Sequence, residues 1–191
     1  HTNNVKLISK KETNNIEYNP NYLNDTDGLI TNEKDIILST TNADCILFLL
    51  FDPVKKVIAN VHSGWRGTLN EIVVNAVTQM KLNYQTRSKD IICCICPSIR
   101  KCHFEVDADV KDLFHNKFSY LPTIDKIIEK VENKYHIDTI LLNKTLLLNI
   151  GIKEENIIDC NICSVCSSKQ INSYRTDKEN YKLSTALITL K

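Results

Sequence analysis

The spacing of hydrophobic residues changes near Gly67, and this change constrains the fold more than any other feature of the chain. Before it lie three short runs rich in β-branched residues, at 35–41, 46–51 and 56–62. Runs of this kind, separated by turn residues, predict β-strands. After it, apolar residues recur on one helical stripe: Leu69, Ile72, Val73, Ala76, Val77 and Met80. The spacing predicts an amphipathic helix that packs on the preceding strands.

Strand and helix patterns alternate only in part along the rest of the chain. Strand patterns occur at 91–96, 157–163 and 186–190. Helix patterns occur at 105–114 and at 137–150, the second closed by Gly151 as a C-terminal cap. The polar stretch 14–27 predicts a surface loop. Partial alternation favours a mixed α/β or α+β sandwich over a regular parallel α/β fold.

Charge and composition exclude several functional classes. The 24 basic and 23 acidic residues give a net charge of +1, without the basic stripe of a nucleic-acid or anionic-membrane binder. The mixed-charge run 125–134 predicts a solvated helix face. Three of the eight cysteines, Cys93, Cys94 and Cys96, crowd into one apolar run, which favours reduced thiols and a cytoplasmic location. No apolar run has transmembrane length.

The length of 191 residues fits one domain with a complete core. The chain begins at His1 without a methionine. We therefore expect residues 1–191 to form a single catalytic domain that lacks an upstream segment.

A polar pair, Asp44-Cys45, separates two apolar strand patterns, and His62 ends the next strand. Neighbouring strands joined by a short turn can bring a cysteine and a histidine together. Residues 63–67 then place the only tryptophan and an arginine between two glycines. Glycines allow close approach to a ligand, and a helix N-terminus favours anions, so Arg66 is a candidate for binding phosphate or carboxylate.

These residues also have structural interpretations. A single cysteine in a strand is commonly a small buried hydrophobe, and a histidine at a strand end is commonly just hydrogen-bonded. Trp65 is more typical of a core than of a stacking surface. The residues alone therefore leave both interpretations open.

Several sequence blocks together resemble one protein family, the YfiH-type proteins, historically called multicopper polyphenol oxidoreductases or laccase-domain proteins. The two blocks with the most specific resemblance are Thr41-Asn42-Ala43-Asp44-Cys45 and Asn60-Val61-His62-Ser63-Gly64-Trp65-Arg66-Gly67. Further resembling blocks lie at 1–5, 26–31, 96–99, 102–106 and 173–175. The chain departs from the family at Cys96, where glycine is usual, and at Arg100-Lys101, where Gly-Pro is common. We expect these departures to reshape the loop before His103.

The resemblance implies a four-layer α/β/β/α sandwich and a metal site formed by His1, Cys45 and His62. Two imidazoles and one thiolate leave a fourth tetrahedral position open, which is typical of catalytic zinc. Such an ion lowers the pKa of bound water to about 7. The resemblance further implies a purine nucleoside enzyme, with phosphorolysis of adenosine, inosine and methylthioadenosine and deamination of adenosine. Its partners would be a nucleoside and phosphate.

Other polar residues are candidates for the remaining roles. Asp44 or Glu105 could transfer a proton during deamination. Arg66 is the first candidate for holding phosphate and Arg175 the second, although an arginine of this kind also fits a structural ion pair. His103, beside Cys102, could protonate the leaving base or serve structurally.

Two rival activities use the same residues. Ordinary multicopper oxidases need about ten histidines. This chain has five, with His115 and His136 predicted in surface helices, so copper would be limited to a single ion in place of zinc. Alternatively, Cys45 could be the nucleophile and His62 the base of a metal-free cysteine hydrolase.

A third alternative is a metal-binding module without catalysis. Cys160, Cys163 and Cys166 are spaced like zinc ligands. A closed structural site needs four ligands, and Asp159 or Cys102 would have to complete it. Isolated thiols around a strand end are the simpler alternative.

Overall fold

The computed structural model describes residues 2–13 and 19–191. The strands β1 to β11 are Val5–Leu7, Gly28–Thr31, Ile37–Asn42, Ile46–Asp52, Val57–Ser63, Ile92–Ile95, Glu105–Val106, Ile128–Val131, Lys134–Ile137, Ile157–Asp159 and Ser184–Thr189. The α-helices α1 to α6 are Trp65–Leu69, Ile72–Tyr84, Ala108–Phe118, Ile124–Ile127, Thr139–Asn149 and Tyr174–Asp177. A 3-10 turn at Pro20–Leu23 lies within the predicted surface loop, of which residues 14–18 fall outside the described residues.

A mixed six-stranded sheet, in the order β1-β2-β5-β4-β6-β10, forms the centre of the fold. The outer pairs β1–β2 and β6–β10 are parallel, and the pairs between them are antiparallel. The central strands β4 and β5 are almost entirely buried because both faces of the sheet are covered. This arrangement confirms the mixed α+β class predicted from the sequence.

Helix α2 covers one face of this sheet with the predicted apolar stripe. Its side chains Ile72, Val73, Ala76, Val77 and Met80 are all fully buried in the main core. The helical segment is nevertheless interrupted between α1 and α2. Glu71 adopts a left-handed backbone conformation (φ 58°), which ends the regular helix and restarts it at Ile72. Sequence spacing does not reveal such a break, because the apolar side of the segment stays continuous across it.

The antiparallel pair β3–β11 packs on the opposite face of the six-stranded sheet. Leu38 of β3 and Ile58 of β5 meet in a second apolar layer between the two sheets. Asn60, fully buried on β5, donates from its side-chain amide to the carbonyls of Leu38 and Ala186, at 3.0 and 2.9 Å. One side chain on β5 thus links the six-stranded sheet to both strands of the smaller sheet.

A three-stranded antiparallel sheet, β7-β9-β8, corrects two sequence predictions. Glu105 pairs with His136 in this sheet, so the helix predicted at 105–114 begins only at Ala108. The run 125–134 is not a solvated helix face: it contains α4, β8 and a turn at Glu132 (φ 52°). Charges on the exposed side of β8 hide its strand pattern. This sheet and helices α3 to α5 enclose a separate apolar core.

The remaining predictions are largely confirmed. Helix α5 is followed by Gly151 at φ +91°, where a side chain would be strained. The closing strand at 186–190 corresponds to β11. The strand predicted at 157–163 stops at Asp159 because Asn161 turns the chain with a left-handed conformation (φ 55°). Among the described residues, no helix is long and apolar enough to cross a membrane.

Candidate active site and thiol cluster

Cys45 and His62 lie side by side because of the β4–β5 pairing. Cys45 directly precedes β4, whose first residue pairs with Ser63, and His62 pairs with Leu47. Both residues line a cleft of about 580 Å³ at the end of the sheet. Polar residues of β3 and the rings of Tyr174 and Tyr181 also line this cleft. Its volume falls within the range of small-molecule sites.

Asp27, at the start of β2, orients the imidazole of His62. The Nδ1 atom of His62 lies 2.9 Å from Oδ1 of Asp27, and the backbone N–H of His62 donates to the carbonyl of Asp27 at 2.7 Å. The backbone N–H and the hydroxyl of Thr2 donate to the other carboxylate oxygen. Burial raises the pKa of Asp27, but the hydrogen bonds from Thr2 and His62 outweigh it and hold the pKa below its ordinary value.

The thiol of Cys45 lies in a largely buried, negatively charged environment. Burial, and then the charges of Asp44 and Asp27, raise its pKa to about 11. A thiol with this pKa is protonated at neutral pH and is a poor nucleophile, whereas a cation beside it would favour the thiolate. These surroundings weigh against the metal-free cysteine hydrolase.

Asp44 is held in place by its neighbours. Its backbone is left-handed (φ 83°), and its side chain is 8% exposed. The hydroxyl of Ser164 donates to Oδ1 at 2.6 Å, and the backbone N–H of Arg175 donates to Oδ2 at 2.8 Å. Both carboxylate oxygens are therefore engaged, which suits a residue that positions Cys45.

Cys45 also lines a smaller pocket of about 250 Å³. Arg175 lines this pocket together with Trp65 and Phe104, and its guanidinium donates to the carbonyl of Glu105 at 3.3 Å. Arg66 is exposed, stacks on the Trp65 ring at 4.0 Å, and lines neither the cleft nor the pocket. It belongs to α1, a helix of only five residues.

His103 lies away from the cleft, in a cluster of three cysteines. The ligand atoms of Cys102, His103, Cys163 and Cys166 all lie within 4.8 Å of one another, an arrangement that can hold a metal ion. The thiols interact strongly. Burial and hydrogen bonds to the other two thiols raise the pKa of Cys102 to about 12. Burial would also raise the pKa of Cys163, but hydrogen bonds to its sulfur lower it to about 7.

Only two of the three cysteines singled out by their spacing belong to this cluster. Cys160 instead contacts the guanidinium of Arg100 at 3.8 Å. Asp159 is no ligand candidate either, because it pairs with Arg100 and Lys144 at 2.5 and 2.7 Å. Against the effect of burial, these two cations strongly lower its pKa. Arg100, one of the residues that depart from the family pattern, thus holds the loop next to the cluster through its ion pair with Asp159.

The four histidines that the structure describes do not gather as a multicopper centre requires. His115 lies on α3 as predicted, but His136 is on β9 rather than in a helix, and its Nδ1 lies 2.7 Å from the carbonyl of Lys101. Within the part of the chain that the structure describes, the thiol cluster is the only group of three or more potential metal ligands. His1, the third predicted ligand at Cys45 and His62, lies outside the described residues.

Sequence reasoning missed two features of these sites. Asp27 is predicted from the sequence only as part of the resembling block 26–31. Its carboxylate lies directly before a strand that pairs with the strand of His62, and this position could have identified it as a partner of His62. Cys102 is confirmed as a member of the cluster with Cys163 and Cys166, but the addition of His103 has no comparable signal, because about 60 residues separate it from Cys163.

Comparisons with known proteins agree on one family. The model of the family described as multi-copper polyphenol oxidoreductase laccase matches residues 1–191. A purine nucleoside phosphorylase of Bacteroides thetaiotaomicron is 32% identical over 153 residues, covering 80% of this chain and 56% of that protein. Adenosine deaminase RL5, from an unknown prokaryote, is 30% identical over 154 residues, covering 80% and 58%.

A solved structure supports the same family assignment. The crystal structure of the hypothetical protein YfiH of Bacillus licheniformis superimposes with a TM-score of 0.91 at 26% identity, covering all of this chain and 72% of the other. The chain spans a little more than half the length of the two curated relatives described above. With a family model that matches its whole length, this chain belongs to the multi-copper polyphenol oxidoreductase laccase family, the YfiH-type proteins.

Proposed function

We propose that this protein is a purine nucleoside enzyme whose reaction takes place around Cys45 and His62. Phosphorolysis is the main reaction, and deamination of adenosine is the second. The observation that carries the proposal is the His62–Asp27 pair beside Cys45 in a cleft of nucleoside size. The names of the relatives, a purine nucleoside phosphorylase and an adenosine deaminase, support this substrate class.

A zinc ion held by His1, Cys45 and His62 fits the donor set of this site. A thiolate and imidazoles are suitable zinc ligands, and a carboxylate on the second ring nitrogen is the usual partner of a metal-binding histidine. Asp27 occupies that position on His62. When bound, the ion supplies Lewis acidity and activates water at neutral pH. Copper is the alternative ion, because it competes well for sites with nitrogen and sulfur ligands.

The cleft offers an aromatic surface for the base. The rings of Tyr174 and Tyr181 meet edge to face, with their centroids 5.2 Å apart. Stacking of a base on an aromatic side chain contributes about 1–3 kcal/mol. Ser39 and Thr41 also line the cleft, and their hydroxyl groups can hydrogen-bond to the sugar. For phosphorolysis, the purine would lie against the tyrosines, with its sugar directed towards Cys45.

Arg175 is the better placed arginine for phosphate. Phosphorolysis forms a bond from a phosphate oxygen to the sugar carbon, while the base leaves with the bonding electrons and gains a proton. Arg175 lines the small pocket that reaches Cys45, so its guanidinium can hold phosphate on the sugar side. Arg66 lines neither the cleft nor the small pocket. Asp44 positions the adjacent Cys45 through its two hydrogen bonds.

Product analysis tests the proposal and separates its two reactions. Adenosine is incubated with the protein, with and without phosphate, and the products are separated by chromatography. Phosphorolysis predicts adenine and ribose 1-phosphate only when phosphate is present. Deamination predicts inosine and ammonia in both samples. Absence of all these products would contradict the proposed substrate class.

A further inference from the structure

Four distances between ligand atoms of the thiol cluster are close to those of a tetrahedral zinc site, and a fifth is shorter. Zinc bonds of about 2.3 Å to sulfur and about 2.0–2.1 Å to nitrogen place two sulfurs about 3.8 Å apart and a sulfur and a nitrogen about 3.6 Å apart. The Sγ atom of Cys102 lies 3.6 Å from Sγ of Cys163 and 3.8 Å from Sγ of Cys166. The Nδ1 atom of His103 lies 3.7 Å from Sγ of Cys163, 3.5 Å from Sγ of Cys166 and 3.2 Å from Sγ of Cys102.

The backbone around the cluster is already arranged to support a thiolate. The sulfur of Cys163 accepts hydrogen bonds from the backbone N–H groups of Cys166 and Arg100. Such bonds outside the ligand shell orient metal ligands and stabilise their charged form. The two ligand-bearing loops are also joined directly, since the N–H of Ser98 donates to the carbonyl of Ile162 at 3.3 Å and the N–H of Ser164 donates to that of Ser98 at 3.0 Å.

We propose that Cys102, His103, Cys163 and Cys166 form a closed structural zinc site, distinct from the site at Cys45 and His62. Three thiolates and one imidazole fill all four tetrahedral positions and leave none for water or substrate. Thiolate-rich sites of this shape select zinc over magnesium, calcium or manganese. This proposal does not depend on the proposed enzymatic activity.

The proposed zinc site is connected to the active centre by hydrogen bonds to Asp44. The loop with Cys163 and Cys166 carries Ser164, which donates to Asp44 beside Cys45. The loop with Cys102 and His103 carries Ile99, whose backbone N–H donates to the carbonyl of Asp44 at 2.8 Å. Zinc would thus link the two loops that donate hydrogen bonds to Asp44. It would thereby stabilise the backbone position of the adjacent Cys45.

Zinc content of variants tests the proposal. Each protein is purified without added metal and with a thiol reductant, and zinc per chain is measured by mass spectrometry. Cys166→Ser removes one ligand of the cluster, and Cys45→Ala removes the other site. Cys160→Ser is the matched control, an exposed cysteine on the same loop that is not a ligand. Cys166→His replaces one ligand by another and guards against a general loss of folding.

The proposal predicts that Cys166→Ser has one zinc ion fewer per chain than the wild type, whereas Cys160→Ser and Cys166→His keep the wild-type content. Cobalt substituted into the Cys45→Ala protein should give the strong sulfur-to-metal absorption of three thiolates, and Cys166→Ser should weaken it. Equal zinc content in Cys166→Ser and the wild type would overturn the proposal. So would a Cys102–Cys163 disulfide found by peptide mapping in place of zinc.

The outcomes for the two sites are separable. If Cys45→Ala keeps all the zinc while Cys166→Ser loses it, the structural site stands and the proposed metal site at Cys45 fails. If Cys45→Ala loses zinc and Cys166→Ser keeps it, the metal site at Cys45 stands and the proposed structural site fails.

Discussion

The imidazole of His62 and the carboxylate of Asp27 lie 2.9 Å apart across the junction of β5 and β2. This pair fixes which ring nitrogen of His62 faces the carboxylate and turns the other edge of the ring away from it. The same two residues are joined through their backbones by a 2.7 Å hydrogen bond. The orientation of the histidine is therefore determined by strand pairing as well as by the side chains.

Asp27→Asn tests the importance of this orientation. Replacing a partner of a metal-binding histidine typically lowers metal affinity about tenfold to a hundredfold. We expect a loss of that size for zinc at the Cys45 site, measured by competition with a chromophoric chelator. Asp25→Asn is the matched control, because Asp25 is exposed and accepts hydrogen bonds from Thr2 and Asn4 through its backbone carbonyl. Unchanged zinc affinity in Asp27→Asn would contradict the assignment.

Arg175→Gln tests the position of the phosphate. Loss of a guanidinium that binds phosphate should raise the KM for phosphate by roughly tenfold or more, with a smaller effect on the KM for the nucleoside. Arg66→Gln should leave both values close to those of the wild type, because Arg66 lies outside the cleft and the pocket. Steady-state kinetics at varied phosphate would show the opposite result if phosphate binds at Arg66.

Asn60→Ala tests the link between the two sheets. The substitution would leave the buried carbonyls of Leu38 and Ala186 without their amide donor. Unsatisfied buried polar groups are costly, so we expect the free energy of unfolding to fall by about 3 kcal/mol. Denaturation in urea measures this change. Asn83→Ala, at an exposed position of α2, should change it by less than about 1 kcal/mol; equal effects would contradict the role of Asn60.

The ion pairs of Asp159 predict a dependence of stability on pH. Arg100 and Lys144 lower the pKa of this carboxyl in the folded protein. A lowered folded-state pKa stabilises the protein above the ordinary carboxyl pKa of about 4, and this contribution is lost as the pH falls towards the folded-state value. Asp159→Asn should therefore reduce the free energy of unfolding by about 1–2 kcal/mol at about pH 7.

The pH series supplies the control for this prediction. The difference between the wild type and Asp159→Asn should shrink steadily below about pH 4. Asp90→Asn removes an exposed ion pair with Arg87 and should have little effect at any pH. A difference for Asp159→Asn that stays constant down to about pH 2 would show that the effect is not ionic.

The sequence predicted the central sheet and its helix well, because apolar periodicity reports burial directly. Leu38, Ile58 and the stripe from Ile72 to Met80 all lie where their spacing indicates. The prediction failed around Glu105 and at 125–134, where exposed charges hide short edge strands. It also failed at Asn161, whose left-handed turn ends β10 early. The backbone N–H of Asn161 donates to Oδ1 of Asp159 at 2.9 Å, and a local turn of this kind is not visible in the spacing of apolar residues.

The candidate sites differ in how much of them local sequence predicts. Cys45 and His62 lie on adjacent antiparallel strands, so their proximity follows from a short turn. The thiol cluster joins loops that are neighbours only because β6 and β10 pair in parallel. The sequence predicted Cys163 and Cys166 as ligands and offered Cys102 as a fourth, but it could not select His103 over Cys160, since that choice depends on tertiary structure.

The active centre at Cys45 and His62 is tested by the release of hypoxanthine from inosine and phosphate, measured for the wild type, Cys45→Ala and Cys94→Ala. Cys94 is a half-buried thiol on β6, away from the cleft, and serves as the cysteine control. We expect phosphate-dependent release of hypoxanthine by the wild type and by Cys94→Ala. In Cys45→Ala this release should be lost, while circular dichroism shows that the fold is intact. Release that continues unchanged in Cys45→Ala would contradict an active centre at Cys45 and His62.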